Sequence, residues 1–251
     1  MKKAMHPYNK NKITIAQYVV DFGNDTPSME ARPICPICRQ RMKLVAPRTA
    51  NTTGHFAHLP KSGFCPTKES AGVRYDNFPP KKPNAERAIE LKRYFINNWM
   101  VHFSQLNYFI KGLSKKEFFE VLQLADRARI WEYAHLEPFQ IPYILATLMD
   151  FPPEKSRNGI DKEKIRKKYF RCFFDSTVQR YDDLWIERPQ NLQFWRAWYE
   201  STPRKRPRAE DLIDAYSEDL NDKFLEYTPK VPNFYVDEIQ DWINRRYYMV
   251  R

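Results

Sequence analysis

Three of the four cysteines fall within 31 residues, as Cys35-Pro36-Ile37-Cys38 and Cys65, and His55-Phe56-Ala57-His58 stands between them. A two-residue gap lets two thiolates reach one ion from a tight turn. A distant Cys/His pair then completes a tetrahedron of soft sulfur and borderline nitrogen donors, the arrangement zinc prefers. In a chain that reads as cytosolic, this cluster indicates zinc before a disulfide. Four ligands on one ion leave no open position. Such a centre is structural, and its binding energy is folding energy for a module too small to hold a core. Along a strand, residues three apart point to opposite faces, so His55 and His58 can ligate together only if the chain turns between them. The preferred ligands are Cys35, Cys38, His58 and Cys65, with His55 as the alternate. The competing reading is a redox dithiol at Cys35 and Cys38. That motif sits between a strand and a long helix, and residues 39–54 do not read as helix.

Cations surround the cluster. The chain carries 42 Lys+Arg against 31 Asp+Glu, a formal charge of +11. Residues 1–80 hold 12 of these cations and only 5 of the acids, a net of +7 from under a third of the chain. A surplus gathered in one small module points to a polyanionic partner there, most often nucleic acid. Arg39, Arg41, Lys43 and Arg48 flank the knuckle and are the first candidates for backbone contacts. Lys164, Lys167, Lys168 and Arg171 fall on one face of a helix expected over 161–185, as a phosphate-contacting stripe would. A solvated helix face looks the same. Arg204, Lys205, Arg206 and Arg208, in a Pro-rich run between expected helices, suit either a nucleic-acid contact or an exposed loop.

The order Cys-x-x-Cys, a basic strand, His-Phe-Ala-His and a nearby Cys resembles the N-terminal zinc ribbon of the CoiA-like competence proteins, over residues 30–95. In that family a Glu-x-His-x-x-x-Lys signature follows on a helix and leads into a nuclease domain. Here Glu86 and Lys92 keep the spacing, and Ala88 stands at the histidine position. The resemblance implies a bacterial or phage setting concerned with foreign DNA, in uptake or defence. It also implies a search for an Asp and a Glu-x-Lys pair that hold Mg²⁺. The best match, Asp126 with Glu132, lacks the lysine. Glu86 and Glu90, one helical turn apart, with Lys92 are the remaining metal-facing candidates, and such charges are more often a solvated face. No Gly-rich phosphate loop, nucleophile elbow or His-Glu-x-x-His occurs. The reading is a non-catalytic zinc-ribbon protein that binds nucleic acid, DNA before RNA, with zinc as its cofactor. The alternatives are a diverged Mg²⁺-dependent nuclease and a protein–protein adaptor or inhibitor subunit of a defence complex, docking through its helical part.

The elements that position these residues divide at a Pro-rich stretch, 78–84, which fits neither helix nor central strand. Residues 1–77 read as a zinc-ribbon module with an N-terminal strand over 12–20, and 85–251 as a helical domain. The expected fold class is α+β, mainly α. Only 6 Gly among 251 residues argue against an all-β chain, and 42% apolar residues suffice for a core. Asn84 is a helix N-cap, followed by Ala88, Leu91, Phe95, Trp99 and Phe103 at helical spacing. Ser114-Lys115-Lys116-Glu117 is a capping box before Phe118, Val121, Leu122 and Ala125. Further helices are expected over 142–149, 161–185, 209–226 and 235–248. The most apolar stretch, Ile141 to Met149, is too short for a bilayer, and the N-terminus does not read as a signal peptide, so the protein is expected to be cytoplasmic with no membrane partner.

Overall fold

The computed structural model describes residues 1–24, 28–45, 54–68, 75, 78–154, 166–189, 191–200, 206–226 and 228–248. The fold is α+β and mainly helical. Where the sequence carries a local stop or start signal, the elements begin on it. Asn84 caps α2 (Ala85–Asn97), its Oδ1 accepting the Arg87 N–H at 2.9 Å. Asn98 interrupts the helix, and α3 (Trp99–Phe109) continues after it. The box at Ser114 opens α4 (Lys115–Arg127). Its hydroxyl takes the Glu117 N–H, and the Glu117 carboxylate takes the Ser114 N–H at 3.0 Å. Every residue of α5 (Ile141–Thr147) is buried, and it packs against α3, α4 and the sheet below. The C-terminal helix α6 (Asn233–Tyr247) buries Ile239 and Ile243.

Three expected elements differ. The strand expected over 12–20 ends early: β2 (Lys12–Thr14) gives way to α1 (Ile15–Phe22). Thr14 and Gln17 form a capping box that outweighs the β-branched run, and Ile15, Tyr18 and Phe22 form one helical face against the core. The helix expected over 161–185 contains β5 (Tyr169–Phe174) and a 3₁₀ turn over Tyr181–Trp185, and residues 161–165 lie outside the described residues. The helix expected over 209–226 is β7 (Leu212–Asp219), flanked by 3₁₀ turns. With β6 (Gln193–Tyr199) these strands form an antiparallel meander in the order β5-β6-β7.

That sheet is the structural centre of the molecule. On one face, Phe174 and Phe194 pack on Phe109 and Tyr143, with Phe109–Phe194 and Tyr143–Phe194 centroids 4.8 and 5.0 Å apart. The same face continues toward the other end of the strands through the register Phe170–Trp198–Asp214. The opposite face buries Arg171 and Tyr199.

The N-terminal module is built from two hairpins. β1 (Lys3–Met5) pairs with β2, and β3 (Met42–Val45) pairs with β4 (His55–His58). Bridges Met5–Ile34 and Ile34–Arg41 join them through the knuckle. The module is seated on the edge of the large sheet. The Lys2 N–H donates to Leu212 O at 2.8 Å, and the Lys3 and Lys12 ammoniums reach Asp214 at 2.6 and 2.9 Å. The Pro-rich stretch lies against the helical part, where the Asn84 N–H donates to Glu132 O and the Tyr133 hydroxyl to Phe78 O, both at 2.8 Å. One continuous apolar core runs from Met1 to Ile243. No helix among the described residues is long and apolar enough to cross a membrane.

Candidate metal centre and the basic surfaces around it

Cys35 and Cys38 sit on a turn closed by two backbone bonds, Cys35 N–H to Gln40 O at 2.9 Å and Arg39 N–H to Cys35 O at 3.0 Å. Arg39 adopts φ 59°, the left-handed conformation the tight return demands of a residue with a Cβ. The chain then runs through β3 and returns along β4, whose last residue, His58, lies opposite Met42. Cys65 precedes a 3₁₀ turn, Pro66–Lys68, with the Lys68 N–H donating to Cys65 O.

The ligand atoms of Cys35, Cys38, His58 and Cys65 all lie within 4.8 Å of one another, so the four can hold one metal ion. Cys35 Sγ is 3.9 Å from Cys65 Sγ, and Cys38 Sγ is 3.3 Å from His58 Nε2. A tetrahedral ion with sulfur at ~2.3 Å separates its ligands by about 3.8 Å, so the pocket has metal dimensions. No disulfide competes for these sulfurs. Burial raises the Cys35 thiol well above its ordinary value, while hydrogen bonds from Cys35 and Cys65 hold Cys38 down to about 3. A bound cation would favour the thiolate form at all three sulfurs. His55 is not among the four. Its Nε2 is 3.9 Å from Glu210 Oε2, near the 3₁₀ turn before β7.

The predicted basic residues separate into distinct environments. Arg39 and Lys43 are exposed, with Arg39 Nη1 meeting Met5 Sδ at 2.6 Å. Arg41 is committed to the backbone, its Nη1 donating to Glu30 O and Arg32 O at 2.9 and 3.0 Å. Lys167 and Lys168 are exposed. Arg171 overturns its reading as a phosphate contact. Its guanidinium is buried and bound through Nε and Nη2 to the Asp150 carboxylate at 2.8 and 3.0 Å, with the Tyr199 ring beneath it. Strand alternation turns position 171 inward, where a helix would have left it on the surface. Arg206 and Arg208 are exposed, and Arg208 lies 3.9 Å from Glu210. Arg48, Lys164, Arg204 and Lys205 lie outside the described residues.

Among the described residues the candidate catalytic carboxylates form no cluster that could hold a metal ion. Glu86 and Glu90 are exposed, and Glu90 pairs with Arg87 at 3.1 Å. Lys92 reaches Asp126 at 3.5 Å. That carboxylate also accepts from Trp131 Nε1, Arg246 and the Tyr247 hydroxyl at 2.8, 2.8 and 3.2 Å, which uses the lone pairs a divalent cation would need.

Lys167 and Lys168, two of the predicted phosphate contacts, belong to a second basic surface that sequence reasoning did not assemble. Lys3, Lys111, Lys167, Lys168, Trp198 and Tyr216 line an open cleft of about 630 Å³ on the uncovered end of the sheet. Its residues come from five separate segments. The signal for its aromatic floor was the alternation in Gln193–Tyr199, which brings Trp198 to the same face as Phe170.

Residues 23–71 match a family described as a domain of unknown function (DUF7830), a span that contains all four candidate ligands. No curated protein and no solved structure matches the chain.

Proposed function

We propose that this chain is a zinc-ribbon protein that binds nucleic acid without cleaving it. The observation that carries the reading is the Cys35, Cys38, His58 and Cys65 cluster, closed at metal dimensions beside exposed Arg39 and Lys43. Zinc suits this donor set because it tolerates three thiolates and an imidazole in a tetrahedron and needs no further ligand. A metal-locked turn holds cations at fixed spacing on a surface, which suits contact with a phosphate backbone. The resemblance to CoiA-like ribbons adds the expectation that the polyanion is DNA and that the setting is the handling of foreign DNA in bacteria or phage. The saturated Asp126 and the dispersed Glu86 and Glu90 support a binding role over Mg²⁺-dependent cleavage.

Fluorescence anisotropy of the zinc-loaded full chain with DNA and RNA over a salt series tests this. Expected is an affinity that falls linearly in log–log form with salt, because binding releases condensed counterions. An affinity indifferent to salt, or equal to that of a neutral control polymer, removes the reading.

A further inference from the structure

The cleft on the sheet has a composition that the ribbon surface does not share. Lys111, Lys167 and Lys168 are exposed on its rim and pair with no carboxylate among the described residues. Lys3 and Lys12 approach from the β1–β2 hairpin. Between them they neutralise Asp214, the one acid in the cleft, at 2.6 and 2.9 Å. Arg166 is internally compensated by the Glu117 carboxylate. Five lysines against one aspartate leave a strong positive surplus around a concave surface, where the field on an incoming anion is focused.

The floor of the cleft is aromatic. Trp198 stands edge-on between Phe170 and Tyr216, with centroids 5.3 and 5.1 Å apart. Tyr216 is 53% exposed, and the Lys12 ammonium lies 4.5 Å from its ring centre. An acidic protein segment would use the lysines and leave these rings unengaged. A duplex would present phosphates to the rim, while its bases stay stacked and paired away from the floor. An unpaired strand uses both surfaces, with phosphates on the lysines and a base against the rings.

We infer that this cleft is a binding site for single-stranded nucleic acid, with Tyr216 and Trp198 as the stacking platform and Lys111, Lys167 and Lys168 as the phosphate contacts. The site rests on the nucleic-acid reading above and adds where the strand lies and in which form it is bound. The β1–β2 hairpin supplies one wall, so the seating of the N-terminal module on the sheet edge builds the site.

The test uses the zinc-loaded full chain with fluorescein-labelled oligothymidylate and with a labelled duplex. Tyr216→Ala is expected to weaken the single strand about five- to a hundred-fold, the range for losing one stacked base, and to change the duplex little. Tyr216→Phe keeps the ring and should stay within about two-fold of the parent. Lys167→Ala with Lys168→Ala should lower the single-strand salt slope by about 1.4, for two lost phosphate contacts. These positions are exposed, and unchanged circular dichroism and zinc content will show that the variants are folded. Equal weakening by Tyr216→Ala and Tyr216→Phe would overturn the stacking role. Single-strand binding that survives the cleft variants and falls with Arg39→Ala and Lys43→Ala removes the cleft while leaving the nucleic-acid reading intact. Absence of salt-dependent binding to either probe removes both.

Discussion

His58 and His55 stand on one four-residue strand, and their fates differ because side chains alternate across it. His58 Nε2 lies 3.3 Å from Cys38 Sγ, whereas His55 turns toward Glu210. His58→Ala or Cys65→Ser should therefore reduce bound zinc to a small fraction of an equivalent, and His55→Ala should leave it unchanged, as elemental analysis of purified protein will show. The same alternation decides Arg171. Its guanidinium is 1% exposed and bound to Asp150, so Arg171→Met removes the charge that compensates this carboxylate. The expected loss is about 3–5 kcal/mol in urea unfolding, with much of it recovered when Asp150→Leu is added. His102 supplies a pH dependence. It is fully buried, stacks on Phe95 at 5.2 Å, and its Nε2 has no partner among the described residues, so burial lowers its pKa from 6.5 to about 4. Protonation then favours the unfolded chain, and stability is lost as pH falls from 6.5 toward 4. Between pH 7.5 and 5 the loss comes to about 2 kcal/mol. Urea midpoints at the two pH values should differ less in His102→Gln, and an equal difference in the variant would assign the effect elsewhere.

At the scale of elements, the signals that were legible are those carried by neighbours in sequence. Asn84 and Ser114 each cap a helix with a side chain three residues from its partner, so sequence alone contains the contact. Ser114→Ala should cost about 1 kcal/mol. Glu117→Ala should cost more, about 3 kcal/mol, because its second oxygen also neutralises the buried Arg166, which the substitution leaves uncompensated. Equal losses in chemical denaturation would show that the Arg166 pair adds nothing to the cap. The knuckle was legible for the same reason, since Cys35 and Cys38 meet through local geometry. The meander was not. All six residues of Tyr169–Phe174 are buried, so no polar alternation marks the strand, and the same aromatic residues can be laid along a helix face. Leu212–Asp219 is an edge strand whose Asp214 faces the lysines of another module, a reason that exists only in the assembled fold. At Thr14 the box was present, but the β-branched residues after it carried the opposite propensity, and tertiary contact through Tyr18 decided the outcome.

The whole molecule joins a module built around a cluster that could hold a metal ion to one built around a larger apolar core. In the N-terminal part, short hairpins of three and four residues per strand surround the cysteine cluster. Strands this short are marginal by themselves, and a bound structural zinc contributes on the order of 10 kcal/mol to such a module. The helical part holds a fully buried α5 among α3, α4 and β5, packing in which none of the four candidate ligands takes part. The two are nevertheless continuous through the Lys2–Leu212 backbone bond, the Asp214 ion pairs and a shared apolar core. Chelation at neutral pH should consequently act in a graded way. Hydrogen exchange should accelerate first across 34–42 and 55–68 and then along β7, the strand the module covers, while α4 and α5 retain protection. The β1–β2 wall of the cleft should loosen along with β7, so chelation should weaken binding of a single strand even though no cleft residue ligates the metal. Uniform loss of protection across α5 together with the cluster would instead make the two parts one cooperative unit, with the zinc centre stabilising the whole chain.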